Sequence, residues 1–183
     1  MKRFKQFVCE SEGLPKIYIE MDMVLADWLR GANKILEKNG YPEWHDAIWE
    51  TYDEYQTDEI KWAILNKQEN FYGSLKFMKE GKRLWKFVKN YEPIVYNKID
   101  SRIDNVSDVV LDKTNWIKNK IGETEIVFDK SKCQCAINED ANPNLLITSS
   151  TELCKEFFEL GGISILHDDA KTTIKELKKL GYR

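Results

Sequence analysis

Five short apolar runs, each separated from the next by helix-patterned sequence, constrain the fold of this chain more than any other feature. The runs are Ile17–Ile19, Ile94–Tyr96, Ile126–Phe128, Leu145–Ile147 and Ile163–Leu166. They are brief, rich in β-branched residues and continuous rather than alternating, as strands covered on both faces are. The segments between them are amphipathic. Leu84, Phe87 and Val88 mark one stripe, and Val109, Val110, Trp116, Ile117 and Ile121 a second. Leu153, Phe157 and Leu160 mark a third, stopped by Gly161 and Gly162; Ile174, Leu177 and Leu180 mark the last, stopped by Gly181. Strand–helix alternation of this kind predicts an α/β fold with a mostly parallel five-stranded sheet and helices on both faces.

Residues 31–74 break the rhythm. Trp44, Ile48, Trp49, Tyr52, Tyr55, Ile60, Trp62, Ile64 and Leu65 give aromatic-rich helical patterning without a good strand. The segment reads as a helical insertion, which divides the chain into an arm at 1–15, a core formed by 16–30 and 75–183, and a cap at 31–74. A chain of 183 residues is long enough for one such domain with a small insertion. At 42% hydrophobic and 32% charged residues it has the balance of a globular protein. No apolar run approaches the ~20 residues of a membrane span. A net charge of −3 gives no general attraction to nucleic acid or to anionic membrane. No apolar core follows the basic start, so the expected location is the cytoplasm, with Cys9, Cys133, Cys135 and Cys154 reduced. Cys133 and Cys135 have no second pair or nearby histidine and read as buried thiols rather than a zinc site.

The chemistry concentrates where the first strand ends, in IYIEMDMVLADW at 17–28. Ligands of open parallel sheets bind beyond the carboxyl ends of the strands. Glu20 and Asp22 leave the first strand at that edge, where two carboxylates suit a metal, or a nucleophile with a general acid.

This stretch resembles the opening motif of the haloacid dehalogenase-like (HAD) superfamily, and within it the 5'(3')-deoxyribonucleotidases and their small bacterial and phage relatives. That group's strand runs into D-M-D-G-V-L-A-D-F; this chain has E-M-D-M-V-L-A-D-W. The resemblance continues through NFYGSL at 70–75, GKRLWKFVKNYEPIVYNK at 81–98, DKTNWI at 112–117, KCQCA at 132–136, LLITSS at 145–150 and GGISIL at 161–166. It implies a Rossmann-like HAD core with a small cap. The arm, M-K-x-F-x-x-F followed by an acid, is similar to capsid-targeting leaders of large tailed phages, which would place the protein in the host cytoplasm or the virion; the alternative is a terminal helix packed on the body.

In the family the first aspartate attacks phosphorus and binds magnesium, the second protonates the leaving oxygen, a Thr or Ser and a lysine hold the phosphate, and acids after the fourth strand complete the metal site. The resemblance therefore puts Glu20 at the nucleophile position and Asp22 at the acid position. Asn97, followed by Lys98, stands at the Thr/Ser position and Lys132 at the lysine. Thr148 and Ser149 fall where the metal-binding acids belong. Each departure has a physical consequence. Glu20 adds one methylene, and a misplacement of about 1 Å can cost ~100-fold in rate. Met23 replaces a glycine and is expected to fill the phosphate space. Thr148 and Ser149 remove the carboxylates that magnesium needs. The expected function is thus a catalytically degenerate nucleotidase-like protein that acts by binding a protein partner or a nucleotide and needs no cofactor. The alternative is a magnesium-dependent 5'(3')-deoxyribonucleotidase or related phosphatase with Glu20 as nucleophile.

Other residues enter as supports. Adjacent acids without a metal raise one another's pKa, so Lys98 or Lys132 is expected within ion-pair reach of Glu20 or Asp22. Phe71, Tyr72 and Trp28 are expected at a base pocket or in cap packing. Trp44, Trp49, Tyr52 and Trp62 suggest either packing of the cap or docking of a partner, including a second copy of the chain. Asp168 or Asp169 is expected to cap the last helix, and Ser149 with Glu152 to form a capping box. His45 and His167 lack metal-ligand spacing and read as surface or satisfied core residues.

Overall fold

The computed structural model describes residues 13–44, 52–129 and 133–183, the side chains of 52–57 excepted. All five apolar runs are strands: β1 (Ile17–Glu20), β2 (Ile94–Lys98), β3 (Ile126–Asp129), β4 (Leu145–Thr148) and β5 (Ile163–Leu166). They pair in the order β3-β2-β1-β4-β5, and every pairing is parallel. The helices are α1 (Trp28–Lys38), α2 (Tyr52–Asn66), α3 (Lys79–Val88), α4 (Val106–Ile121), α5 (Thr151–Glu159) and α6 (Ala170–Lys179). None of them is long and apolar enough to cross a membrane.

Side chains alternate across a strand, and that period of two splits the core. Val95 joins a large cluster with Ile17, Ile19, Ile147, Leu84 of α3, Trp116 and Ile117 of α4, and Leu177 of α6. Its neighbour Tyr96 joins a smaller cluster with Leu146, Cys133, Ala136, and Leu153 and Phe157 of α5. The central strands are therefore buried on both faces, which is why their sequences run apolar without a break.

Two helix starts follow from local chemistry. Asp169 caps α6, accepting from the N–H groups of Lys171 at 2.7 Å and Thr172 at 3.0 Å. α5 is capped by Ser150, whose hydroxyl accepts from Leu153 N at 3.1 Å, and not by Ser149 as the S-x-x-E spacing predicts. The reason is that β4 holds Thr148 and the Ser149 N–H is directed to Glu20, so the helix begins one residue later.

α1 starts at Trp28 and so runs across the 30/31 boundary placed from sequence. Of the aromatic residues of 31–74, Trp62 is buried and Trp44 partly buried. Both pack on Trp28, with ring centroids 5.7 and 5.3 Å away. Trp49 and His45 lie outside the described residues, as do the arm residues 1–12, and the Tyr52 side chain is likewise outside them.

Gly81 fixes α3 against the loop that carries the acidic motif. A Cβ there would stand 2.4 Å from the Val24 carbonyl oxygen and 2.9 Å from Leu25 Cα, both backbone atoms. Gly81→Ala is therefore expected to lower stability by up to about 2 kcal/mol, because overpacking against backbone falls at the upper end of ~1–3 kcal/mol and exceeds a helix-propensity gain of ~1 kcal/mol. Chemical denaturation checks this; a stabilised variant would show that the two backbones can separate.

Candidate functional site

In a sheet ordered β3-β2-β1-β4-β5 the chain's crossovers reverse direction beside β1, and ligands of such sheets bind at the carboxyl edge there. A cleft of ≈390 Å³ occupies that position. Glu20 and Asp22 line it from the end of β1, Lys98 and Asp100 from the end of β2, and Trp28, Trp62 and Tyr72 from the elements between β1 and α3.

Glu20 is enclosed. Thr148 Oγ1 donates to its Oε2 at 2.5 Å, and the Ser149 N–H donates to the same oxygen at 3.3 Å. Thr148 is itself fixed, since its Oγ1 accepts from Ser150 N at 3.0 Å. Burial raises the Glu20 carboxyl to about 7; the hydrogen bond from Thr148 resists the rise, and the neighbouring Asp22 charge adds to it.

Asp22 is held by a cation from α4. Lys113 Nζ lies 2.5 Å from Asp22 Oδ2 and 4.7 Å from the centroid of the Tyr72 ring. Lys113 is 1% exposed, the most deeply buried charged residue among those described. Its position on the helix explains this, because it falls three residues after Val110 and three before Trp116, inside the apolar stripe. Trp116 anchors the same turn by donating its indole N–H to the Leu75 carbonyl at 2.8 Å.

The expected cation is thus replaced. Lys98 lines the cleft but reaches Glu156, at 3.2 Å, rather than either acid of the motif. Lys132 lies outside the described residues. The one local trace of Lys113 in the sequence is its place within the apolar stripe of Val109–Ile117, which does not by itself separate an internal ion pair from a break in the stripe.

The remaining expected residues separate into those at the cleft and those behind it. Trp28 and Tyr72 reach it; Phe71 is buried and packs edge-on to both, at 6.2 and 4.9 Å. Asn97 is 1% exposed, and neither its Oδ1 nor its Nδ2 has a hydrogen-bond partner. Met23 does not line the cleft as the sequence predicts. Its backbone takes φ +63, the left-handed region that glycine enters without a Cβ penalty, and the 21–26 turn closes through Ala26 N to Met21 O at 2.8 Å. Trp62 and Asp100 are site residues that sequence reasoning did not single out as such. Arg102 ties both down: it pairs with Asp100 at 2.7 Å and with Asp58 of α2 at 2.7 Å, and its guanidinium sits 4.7 Å from the Trp62 centroid.

Outside the cleft, His167 is buried and shares a 2.8 Å hydrogen bond with Thr173, as a satisfied core histidine does. Cys133, Cys135 and Cys154 are free thiols, and burial raises all three pKa values.

The donor set at the cleft does not fit magnesium. That ion wants several oxygen ligands, anionic ones among them, in an octahedral array. Here Glu20 Oε2 is taken by Thr148 and Ser149, and Asp22 Oδ2 by an ammonium. Among the described residues no group of three or more His, Cys, Asp and Glu side chains could hold a metal ion.

No family model matches this chain, and no curated protein does. Solved structures do. A hydrolase from Streptococcus pneumoniae TIGR4 aligns with TM-score 0.54 and 14% identity over 90% of this chain and 98% of that one. A haloacid dehalogenase-like family hydrolase from Streptococcus pneumoniae aligns at 0.47 and 10% identity, covering 82% and 83%. A HAD-superfamily hydrolase from Ehrlichia chaffeensis aligns at 0.43 and 10%, covering 93% and 99%. The first likeness establishes that the α/β fold is that of a known hydrolase; identity this low carries the fold alone.

Proposed function

We propose that this chain is a catalytically degenerate, nucleotidase-like protein of HAD fold that acts by binding rather than by turnover. The observation that carries the reading is the state of the two motif acids. Phosphoryl transfer by such a pair needs a carboxylate free to attack and a cation that neutralises the phosphate. Glu20 instead has one carboxylate oxygen, Oε2, taken by Thr148 and the Ser149 N–H, and the Lys113 ammonium is committed to Asp22.

The cleft remains open and aromatic, which suits retention of a small ligand. Trp44 and Trp62 pack against Trp28 and so shape that cleft. This favours a ligand held beneath the 31–74 cap over a protein docked on it. The resemblance to phage relatives puts the protein in a host cytoplasm or a virion under this reading.

The test is steady-state assay of the full chain on deoxynucleoside 5'-monophosphates with magnesium. Turnover is expected below ~0.1 per second, where enzymes typically run at about 1–1,000 per second. Faster turnover that Asp22→Asn abolishes would establish the magnesium-dependent phosphatase instead.

A further inference from the structure

We propose that the paired outer faces of α3 and α6 form a docking surface for the phosphate backbone of double-stranded nucleic acid. None of the cations of these faces lines the cleft, so the surface stands apart from the binding reading above.

The net charge of −3 averages over an uneven distribution. Residues 76–92 and 168–183 together carry eleven Lys and Arg against five Asp and Glu, in a chain that holds 28 against 31. On α3 the buried positions are Gly81, Leu84 and Val88. At ~3.6 residues per turn the opposite side takes Lys79, Lys82, Arg83 and Lys86, with Lys89 at the helix end, and all of these are exposed. On α6 the burial of Ala170, Thr173 and Leu177 leaves Lys171, Lys175, Lys178 and Lys179 exposed in the same way. The two helices lie side by side and run in the same direction. Ala170 N donates to Glu80 Oε2 at 3.1 Å where they start, and Lys178 Nζ stands 5.9 Å from the Phe87 centroid near their ends. The acids beside these cations are occupied: Glu80 by that N–H, Asp169 as the α6 cap and Glu176 by Lys179. Glu92 and Asp168 lie outside both helices. Among the described residues, no other cation of the two helices has a carboxylate within ion-pair distance.

An array of exposed, uncompensated cations calls for a polyanion. A duplex carries one charge per ~1.7 Å, so about nine along the ~15 Å of a ten-residue helix such as α3. Lysines on a helix face reach phosphates without reading bases, so the binding is independent of sequence. Two features favour a duplex over other polyanions. A membrane-surface helix pushes apolar side chains into the lipid. None of the exposed large apolar side chains among the described residues lies on α3 or α6. A single strand needs open aromatic faces for its bases. Here Trp85 and Phe87 are partly buried against the core, and Lys82 and Lys178 stand over the Phe77 and Phe87 rings.

Fluorescence anisotropy of the full chain with a labelled DNA duplex of about 25 base pairs and arbitrary sequence tests this. A Kd of about 10 μM or below is expected at ~50 mM salt. Engagement of about four phosphates or more gives a slope of log K against log salt of about −3.6 or steeper, a loss of roughly 150-fold by ~200 mM. The quadruple variant Lys79→Gln, Arg83→Gln, Lys86→Gln, Lys175→Gln is expected to weaken binding at least ~10-fold and to flatten the slope. Lys34→Gln, Lys38→Gln, Lys120→Gln, Lys155→Gln changes the net charge equally through exposed lysines elsewhere and is expected to cost under ~3-fold. Thermal melting checks that both variants fold. Lysine acetylation of the parent chain needs no variant: the duplex is expected to protect Lys82, Lys86 and Lys175 but not Lys34, Lys38 or Lys120. Equal losses in the two variants, unprotected lysines on α3 and α6, or a Kd above ~100 μM at the lowest salt overturns the proposal. Binding to vesicles containing phosphatidylserine without binding to the duplex also overturns it and assigns the face to a membrane.

Discussion

Replacing Lys113 by methionine is expected to destabilise the native state by about 3 kcal/mol, lowering Tm by roughly 6–12 °C in a chain of this length. Methionine fills the space of the lysine stem, so the change isolates the charge. The side chains of Lys113 and Asp22 are 2% and 24% exposed in the pair. Removing the ammonium strands a carboxylate whose other oxygen already lacks a partner. Breaking a buried pair costs ~3–5 kcal/mol, and the quarter-exposed Asp22 puts this case at the lower end because water reaches it. The double variant Lys113→Met, Asp22→Asn is expected to recover at least half of the loss, since it removes the uncompensated charge. Urea titration of the two variants beside the parent measures both effects. A loss under ~1 kcal/mol for the single variant would mean that the pair is solvated and does not replace a metal.

The sheet was legible because both of its faces are covered. A strand buried on two sides has no alternation to blur, and each of the five runs became a strand extended by at most two residues. The edge location of Glu20 and Thr148 was legible for the same reason. Parallel strands end on one side, so the tips of β1 and β4 meet although 128 residues separate them. What the sequence hid were contacts of side chains that reach across layers. Lys113 finds Asp22 over a separation of 91 residues, and a lysine inside an apolar stripe reads equally as a flaw in the stripe. Trp62 belongs to a helix with a weak apolar face, so nothing local marked which of its aromatic residues turns to the cleft. Arg102 is a loop residue whose role depends on Asp58 of α2, and loop positions carry no periodicity from which to infer direction.

Glu20→Gln is expected to stabilise the protein at pH 8.5 by on the order of 4 kcal/mol while leaving it unchanged near pH 4. The Glu20 carboxyl is raised to about 7 in the folded chain. In an unfolded chain it titrates near ~4.3. Between those values the native state holds a proton that the unfolded state has lost, so stability falls as pH rises. The contribution is fully present below the unfolded value and is gone once the pH has passed the folded one. At ~1.4 kcal/mol per pH unit, that window amounts to the stated difference. Glutamine stays neutral throughout and keeps an oxygen to accept from Thr148 and the Ser149 N–H, so it avoids the cost of a buried anion. Other carboxyls also make stability depend on pH. The measured quantity is therefore the difference between variant and parent melting curves from pH 4 to 8.5, in which shared groups cancel. A difference that grows through the 4–7 window locates the proton on Glu20. Parallel curves would mean that Glu20 is ionised across the range, and then a charged carboxylate would stand in the cleft, as attack on phosphorus requires.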